Sequence, residues 1–291
     1  MSTPSFSDPH SPADVADRLQ TIGVTKARMA TSKIILLAIL AGAFISLGAM
    51  YYTVVMTEPG TAWGASRMLG GIAFSLGFIL VVIAGAELFT GNNLIVMAWA
   101  NGLISSTEII RNWLLVYIAN TFGALSTLVL LYLSGFLNNH HHQVGVTAIN
   151  IAIHKVDHSF VEGFFLGLFC NALVCLASWM TYAARSVTDK IMAILLPISA
   201  FVAMGFEHCI ANMFMIPLGI IAALDPEILA AGSFSEEQLS LLNMSGFFNN
   251  IIPVTLGNIF GGAGLVAFVY YFIYLRGTSG DSETDIKPFD E

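Results

Sequence analysis

The chain has 291 residues, of which 56% are hydrophobic and only 10% charged, where a soluble domain carries roughly 25%. Its 11 Lys and Arg stand against 19 Asp and Glu, so there is no basic face for nucleic acid, and the composition also excludes an ordinary soluble enzyme and a disordered chain. The length suits one bundle of about six membrane crossings at ~20 apolar residues each.

Residues 1–30 are polar and mixed, hold no apolar core of signal-peptide type, and read as part of the mature chain. Within them Val15, Leu19 and Ile22 share one stripe. This predicts a short amphipathic helix over 12–23 with Gly23 as its stop. The spacing fits a helix lying on the membrane, a plug in an inner mouth, or a solvated lead-in. Six apolar stretches follow, at 34–55, 68–100, 112–137, 163–184, 191–224 and 247–275. Four of them suit single tilted helices. The second and fifth are too long for one crossing, and they contain Glu87 and the pair Glu207-His208. Long spans with polar interruptions predict discontinuous helices. The connections at 57–67, 138–158 and 225–243 read as loops.

Placing the N-terminus inside puts Arg18, Lys26, Arg28, Lys33, Arg111, Arg185, Lys190, Arg276 and Lys287 inside, and only Arg67 and Lys155 outside. That bias predicts cytoplasmic termini. The expected organisation is a cytoplasmic segment 1–30, a channel domain 31–276 with halves of about 31–137 and 159–276, and a cytoplasmic tail 277–291.

Cys170, Cys175 and Cys209 lie in apolar runs and read as packing residues. His140, His141 and His142 are adjacent on a loop. Neighbouring side chains rarely converge on one ion, and no Cys or carboxylate is spaced to complete a site, so they read as solvated. No metal and no cofactor is expected.

The two interruptions match. Gly85, Glu87 and Asn92 recur as Gly205, Glu207 and Asn212 at a fixed offset of 120. Asn112, Asn120 and Gly123 recur as Asn250, Asn258 and Gly261 at an offset of 138. Two halves of three spans must have opposite topology. The expected fold is therefore an all-α membrane protein of six transmembrane spans, a 3+3 inverted repeat with broken second and fifth helices and a path between the breaks. Unwound backbone at membrane depth must be satisfied by protein or water. Glu87 and Glu207 are expected to accept hydrogen bonds from freed N–H groups of their own breaks, with a proton-relay role as the alternative. Asn92, Asn212, Asn120 and Asn258 offer amides to the same loops or to a permeant. Gly163/Gly167 and Gly257/Gly261 predict close helix packing. Half-helix N-termini supply positive dipole ends for an anion, and His208 supplies a proton or a positive charge near neutrality.

Gly-Ala-Glu-Leu-Phe-Thr-Gly-Asn (85–92), Phe-Cys-Asn-Ala-Leu-Val-Cys-Leu-Ala (169–177), Gly-Phe-Glu-His-Cys-Ile-Ala-Asn-Met-Phe (205–214) and Ile-Pro-Val-Thr-Leu-Gly-Asn (252–258) resemble the formate/nitrite transporter family. The resemblance runs from about residue 13 to 276. It implies an aquaporin-like fold assembled as a homopentamer in the bilayer of the bacterial cytoplasmic membrane, with one pore per subunit for small monovalent anions. His154-Lys155, Arg185-Ser186 with Asp189-Lys190, and the run 213–217 resemble the formate-channel branch. Gly91 departs from the serine common there, which keeps nitrite and hydrosulfide open as substrates beside formate, and proton-coupled symport open beside passive flow.

The resemblance also implies the roles. His208 and Thr90 meet the substrate, Asn171 and Asn258 line a central chamber, and Lys155 in the outer loop concentrates anions. Phe74, Phe78, Leu88, Phe89 and Phe201 form apolar necks, with simple core packing as their alternative. The N-terminal helix answers low pH or a cytoplasmic regulator. An enzyme would need a converging catalytic set, which the sequence lacks. A water or glycerol channel would need Asn-Pro-Ala in the breaks, where Glu207-His208 stand in one and Glu87-Leu88 in the other.

Overall fold

The computed structural model describes residues 8–277, and every regular element among them is helical. Helix α1 (Pro12–Ala27) starts at Ser11, whose side chain accepts the Asp14 N–H while Asp14 caps in return, with proline at the first turn. It does not stop at Gly23 as expected. A Cβ there would stand 3.0 Å from that of Ala98, so the glycine permits close packing rather than ending the helix. Val15, Ala16, Leu19 and Ala27 are buried in one apolar cluster with Leu94–Ala98, Trp179 and Ala267. The helix is thus docked on the body of the protein, not a solvated lead-in.

The long elements are α2 (Thr31–Met56), α3 (Trp63–Leu80), α5 (Ser106–Leu133), α7 (Phe160–Ala183), α8 (Val187–Ala203) and α12 (Met244–Ile259), with the short α4 (Val96–Ala100) between α3 and α5. Capping boxes start three of them, Ser105–Glu108, Ser159–Glu162 and Ser186–Asp189. Five helical stretches are long and apolar enough to cross a membrane: Thr31–Met56, Trp63–Gly85, Ser106–Leu133, Phe160–Ala183 and Met244–Tyr274. The shorter α9 (Cys209–Ala222) is also apolar.

Two non-helical links stand inside the second and fifth apolar stretches. Residues 86–90 separate the π turn that ends α3 (Val81–Gly85) from a 3-10 turn (Gly91–Ile95) leading into α4. Residues 204–208 separate α8 from α9. The last stretch, expected as one helix, contains a π segment at Phe260–Phe268 before the short terminal helix Val269–Tyr274.

Two expected loops are partly helical. Residues 138–158 contain α6 (Gln143–Val156), and 225–243 contain α10 (Pro226–Ala231) and α11 (Glu236–Leu241). In α6, Val144, Ala148, Ile149, Ala152 and Val156 are buried, a helical stripe that packs on α9. The histidines that precede it are not merely solvated. His140 Nε2 is 2.9 Å from Glu58 Oε2 and His142 Nε2 is 3.4 Å from Glu227 Oε2.

Glycines set the closest approaches. A Cβ on Gly42 would overlap Asn120 O and one on Gly123 would overlap Ile39 O, which draws α2 onto α5. A Cβ on Gly257 would overlap Phe164 O and one on Gly261 would overlap Leu168 O, which draws α12 and the π segment after it onto α7 in the same way. The α3 and α8 helices pack on each other, and this brings the two links together.

Candidate functional site

The links are built alike. Gly85 and Gly205 turn the chain at φ 81° and 77°, a left-handed conformation that costs glycine little. The next N–H closes back on the helix, Ala86 to Val81 O and Phe206 to Phe201 O, both at 2.9 Å. Glu87 N–H donates to Leu37 O at 3.2 Å and Glu207 N–H to Leu166 O at 3.3 Å. Asn120 Oδ1 accepts the Phe89 N–H, and Asn258 Oδ1 accepts the Cys209 N–H, both at 2.9 Å. Asn120 Nδ2 donates to Ala38 O and Glu87 O. Asn258 Nδ2 donates to Gly167 O and Glu207 O. Buried backbone groups must be paired, and these two asparagines meet that requirement inside the links.

The carboxylates do something other than expected. Neither binds the N–H groups of its own link. Glu87 Oε1 accepts from Lys26 Nζ at 2.8 Å and its Oε2 from Asn92 Nδ2 at 2.7 Å. Glu207 Oε1 accepts from Lys155 Nζ at 2.9 Å and its Oε2 from Asn212 Nδ2 at 2.6 Å. Asn112 and Asn250 complete the sets: each accepts from the link asparagine and donates to a lysine carbonyl, Lys26 O or Lys155 O. The freed N–H groups go instead to amides and carbonyls, because a buried carboxylate needs a full counter-charge. At Lys26, burial opposes the ammonium, but Glu87 and Tyr182 outweigh it and hold its pKa above the usual lysine range. Lys155 lies on α6, not in a loop, and it is paired rather than free.

Sequence reasoning missed Lys26 as a partner. The signal was present: Lys26 and Lys155 are 129 residues apart, as are Leu37 and Leu166, so the repeat extends into the N-terminal segment.

Side chains between the shared Gly, Glu and Asn differ, and two of the differences are polar: Thr90 stands where the second link continues with Ile210, and the other is a histidine. His208 stands where the first link has Leu88. Its Nδ1 accepts the Ala211 N–H at 3.1 Å, capping α9, and its Nε2 lies 2.9 Å from Thr90 Oγ1 in the other link. The cap assigns the ring proton to Nε2, which donates to Thr90. His208 is buried and stacks at 6.1 Å on Phe201, which meets Phe74 edge-on at 5.7 Å.

A cavity of about 280 Å³ opens on one side of this pair, lined by Phe74, Phe201, Glu207, His208, Asn212 and Lys155 with Arg67 and His154. A second, of about 330 Å³, is lined by Phe78, Leu88, Glu87, Gly91 and Asn92 with Lys26, Lys33 and Lys190. Four of the expected neck residues therefore face a cavity. Phe89 lines neither of the two: its ring packs on Trp113 and Tyr117 of α5, at 6.1 and 4.9 Å. Asn171 and Asn258, expected in a central chamber, also line neither cavity. Asn171 Nδ2 donates to Asn258 O at 2.7 Å and Thr90 O at 3.3 Å, so both amides brace the links. Among the described residues no group of three or more His, Cys, Asp or Glu is placed to hold a metal ion.

Two cavities, each lined by apolar side chains and lysine, with a buried histidine–threonine pair between them, make an arrangement suited to the passage of small anions. A sequence model of the formate/nitrite transporter family matches residues 13–272. The chain is 45% identical to the formate channel FocA of Escherichia coli (strain K12) over 91% of its length and 94% of that protein. It is 42% identical to FocA of Haemophilus influenzae over 87% and 90%. A solved pentameric formate channel with formate bound superposes with TM-score 0.79 at 45% identity, over 84% of this chain and 98% of that one. A further ion channel of the family superposes at TM-score 0.74 with 24% identity, over 89% and 98%, and so shares the fold. The chain belongs to the formate/nitrite transporter family.

Proposed function

We propose that the protein is a formate channel of the bacterial cytoplasmic membrane, built from six crossings in two inverted halves and assembled as a homopentamer. The two links are then breaks in the second and fifth crossings that meet near the midplane. The His208 cavity faces outward, and the cavity beneath α1 faces the cytoplasm with both termini. The matched hydrogen bonds of the links support the inverted repeat. The apolar side chains exposed on the outside of the bundle, among them Phe122, Leu130, Leu196 and Phe272, fit burial against lipid or neighbouring subunits.

A formate anion entering an apolar neck loses hydration, an idealised cost of order 20 kcal/mol that relaxation reduces to several. The Nε2–H of His208 and the hydroxyl of Thr90 are the donors that replace water between the two necks. Proton transfer from His208 requires a second ring proton. That proton must sit on Nδ1 and displace the Ala211 N–H, so charging the ring and uncapping α9 are one event. The carrying observation is the 2.9 Å contact between Thr90 and His208 across the two links.

Purified protein in liposomes, assayed for formate flux across pH, tests this. His208→Asn keeps an N-cap and a donor but cannot titrate, and at saturating formate it is expected to conduct with little pH dependence. His208→Ala is expected to lose both cap and donor, with flux down at least about tenfold, as one well-placed donor of ~1.4 kcal/mol would give. Wild-type pH dependence in the Asn variant would end the protonation scheme, and absence of formate flux in the intact wild-type protein would end the channel reading.

A further inference from the structure

Lys155 and His158 compete for one oxygen. Lys155 Nζ donates to Glu207 Oε1 at 2.9 Å, and His158 Nε2 stands 4.0 Å from the same atom. That nitrogen is buried and has no hydrogen-bond partner. The His158 ring packs edge-on against His154, centroids 5.1 Å apart, and His154 is exposed and lines the His208 cavity. The charged and titratable groups facing His158 are Glu207 of the link, His154 and Lys155 of α6, and Glu162 of α7.

The other half has no such competitor. At the offset that relates Lys155 to Lys26, His154 and His158 correspond to Thr25 and Met29. Lys26 is also held more firmly, by Glu87 Oε1 and Asn92 Oδ1 together. The equivalent oxygen of the second half, Asn212 Oδ1, is buried without a partner. Lys155 therefore has one acceptor where Lys26 has two.

We propose that His158 is an acid-operated positioning residue for Lys155: protonated, it takes Glu207 Oε1 and releases the lysine ammonium to anions in the His208 cavity. This rests on the formate-channel reading with that cavity facing outward. With a neutral ring the carboxylate and the lysine cancel. With an imidazolium present the wall carries one net positive charge, and the more mobile cation faces the pore. Burial holds the His158 imidazole below the usual histidine range, with Glu207 pulling against it, so the switch is off near neutrality and on in acid. External acid then favours uptake, and internal acid does not operate the device.

The test is labelled-formate uptake into right-side-out vesicles, with internal pH held and external pH moved from about 7.5 to about 4.5, a window that extends below the ordinary imidazole range. In the wild type the KM for external formate is expected to fall about tenfold, the low end of what a singly signed cleft does to local anion concentration, with Vmax changed much less. His158→Gln is expected to hold the KM at its value near neutrality throughout, and His158→Lys to hold it low throughout. A wild-type KM profile in His158→Gln overturns the proposal. Should that variant not fold, a pH-dependent KM in His158→Lys overturns it, and a flat low KM supports it. Intact wild-type pentamers that take up no formate at either pH would instead overturn the channel reading beneath it.

Discussion

Asn258 shows why a single amide can decide whether the chain holds its shape. Its side chain accepts one backbone N–H and donates to two backbone carbonyls, all buried. An alanine there leaves Cys209 N, Gly167 O and Glu207 O short of a partner, and each buried loss costs ~1–3 kcal/mol. Asn258→Ala is therefore expected to lower the unfolding temperature of the detergent-solubilised protein clearly, by about 3 kcal/mol or more of stability, with Asn120→Ala doing the same. A variant as stable as the wild type but altered in flux would mean the amide faces permeant rather than backbone. The sequence exposed this residue as part of a repeat, since recurrence at a fixed offset is readable. It did not expose what the amide bonds to, because a carbonyl acceptor on α7 leaves no trace in residue identity. The same limit leaves both expectations for Phe89, neck and core packing, open in the sequence. A phenylalanine in a link can turn either to the pore or to the bundle, and Trp113 and Tyr117 offered it aromatic edges.

Among the helices, what was legible followed from periodicity and length. The long apolar stretches overlap α2, α3, α5, α7, α8 with α9, and α12, because burying or immersing a helix demands a continuous apolar run. The polar residues inside the second and fifth stretches lie at the non-helical links. Helix α6 was not legible: its flanks are histidine-rich and its apolar stripe is short, so composition outweighed the 3.6-residue period. The π segment at 260–268 is equally hidden, since the spacing of Gly257 and Gly261 predicts close packing and says nothing of a change in helical pitch. The packing expectation holds at both glycines. A Cβ on Gly257 would overlap Phe164 O, a backbone atom that cannot rotate away. Gly257→Ala is expected to separate α12 from α7 and cost about 1–3 kcal/mol by overpacking, and Gly264→Ala, with open space at its Cβ, is expected to cost much less. Equal thermal stability of the two variants would remove the close crossing as a determinant of the fold.

Each half of the protein takes its counter-ion from outside its own long helices, Lys155 from α6 and Lys26 from α1. The N-terminal helix is thus part of the electrostatics of the first link as well as a cover for its cavity. Deleting residues 1–30 removes the Lys26 ammonium and the carbonyl that Asn112 Nδ2 donates to. Glu87, only 5% exposed with α1 in place, then loses its cation, and an uncompensated buried charge costs up to about 3–5 kcal/mol, less where water enters the uncovered cavity. Glu87→Gln keeps an oxygen for Asn92 Nδ2 and removes the charge. In the full chain that substitution strands Lys26 and is expected to destabilise; in the truncated chain it is expected to recover most of the lost stability. The sign of a single substitution should therefore reverse with the presence of α1, which thermal unfolding of the four proteins would show. Formate flux should survive truncation once Glu87 is neutral, with gating altered, because Thr90, His208 and the proposed neck residues lie outside the deleted segment. If Glu87→Gln shifts both backgrounds in the same direction by the same amount, α1 does not supply the charge that holds the first link, and its role reduces to covering the mouth.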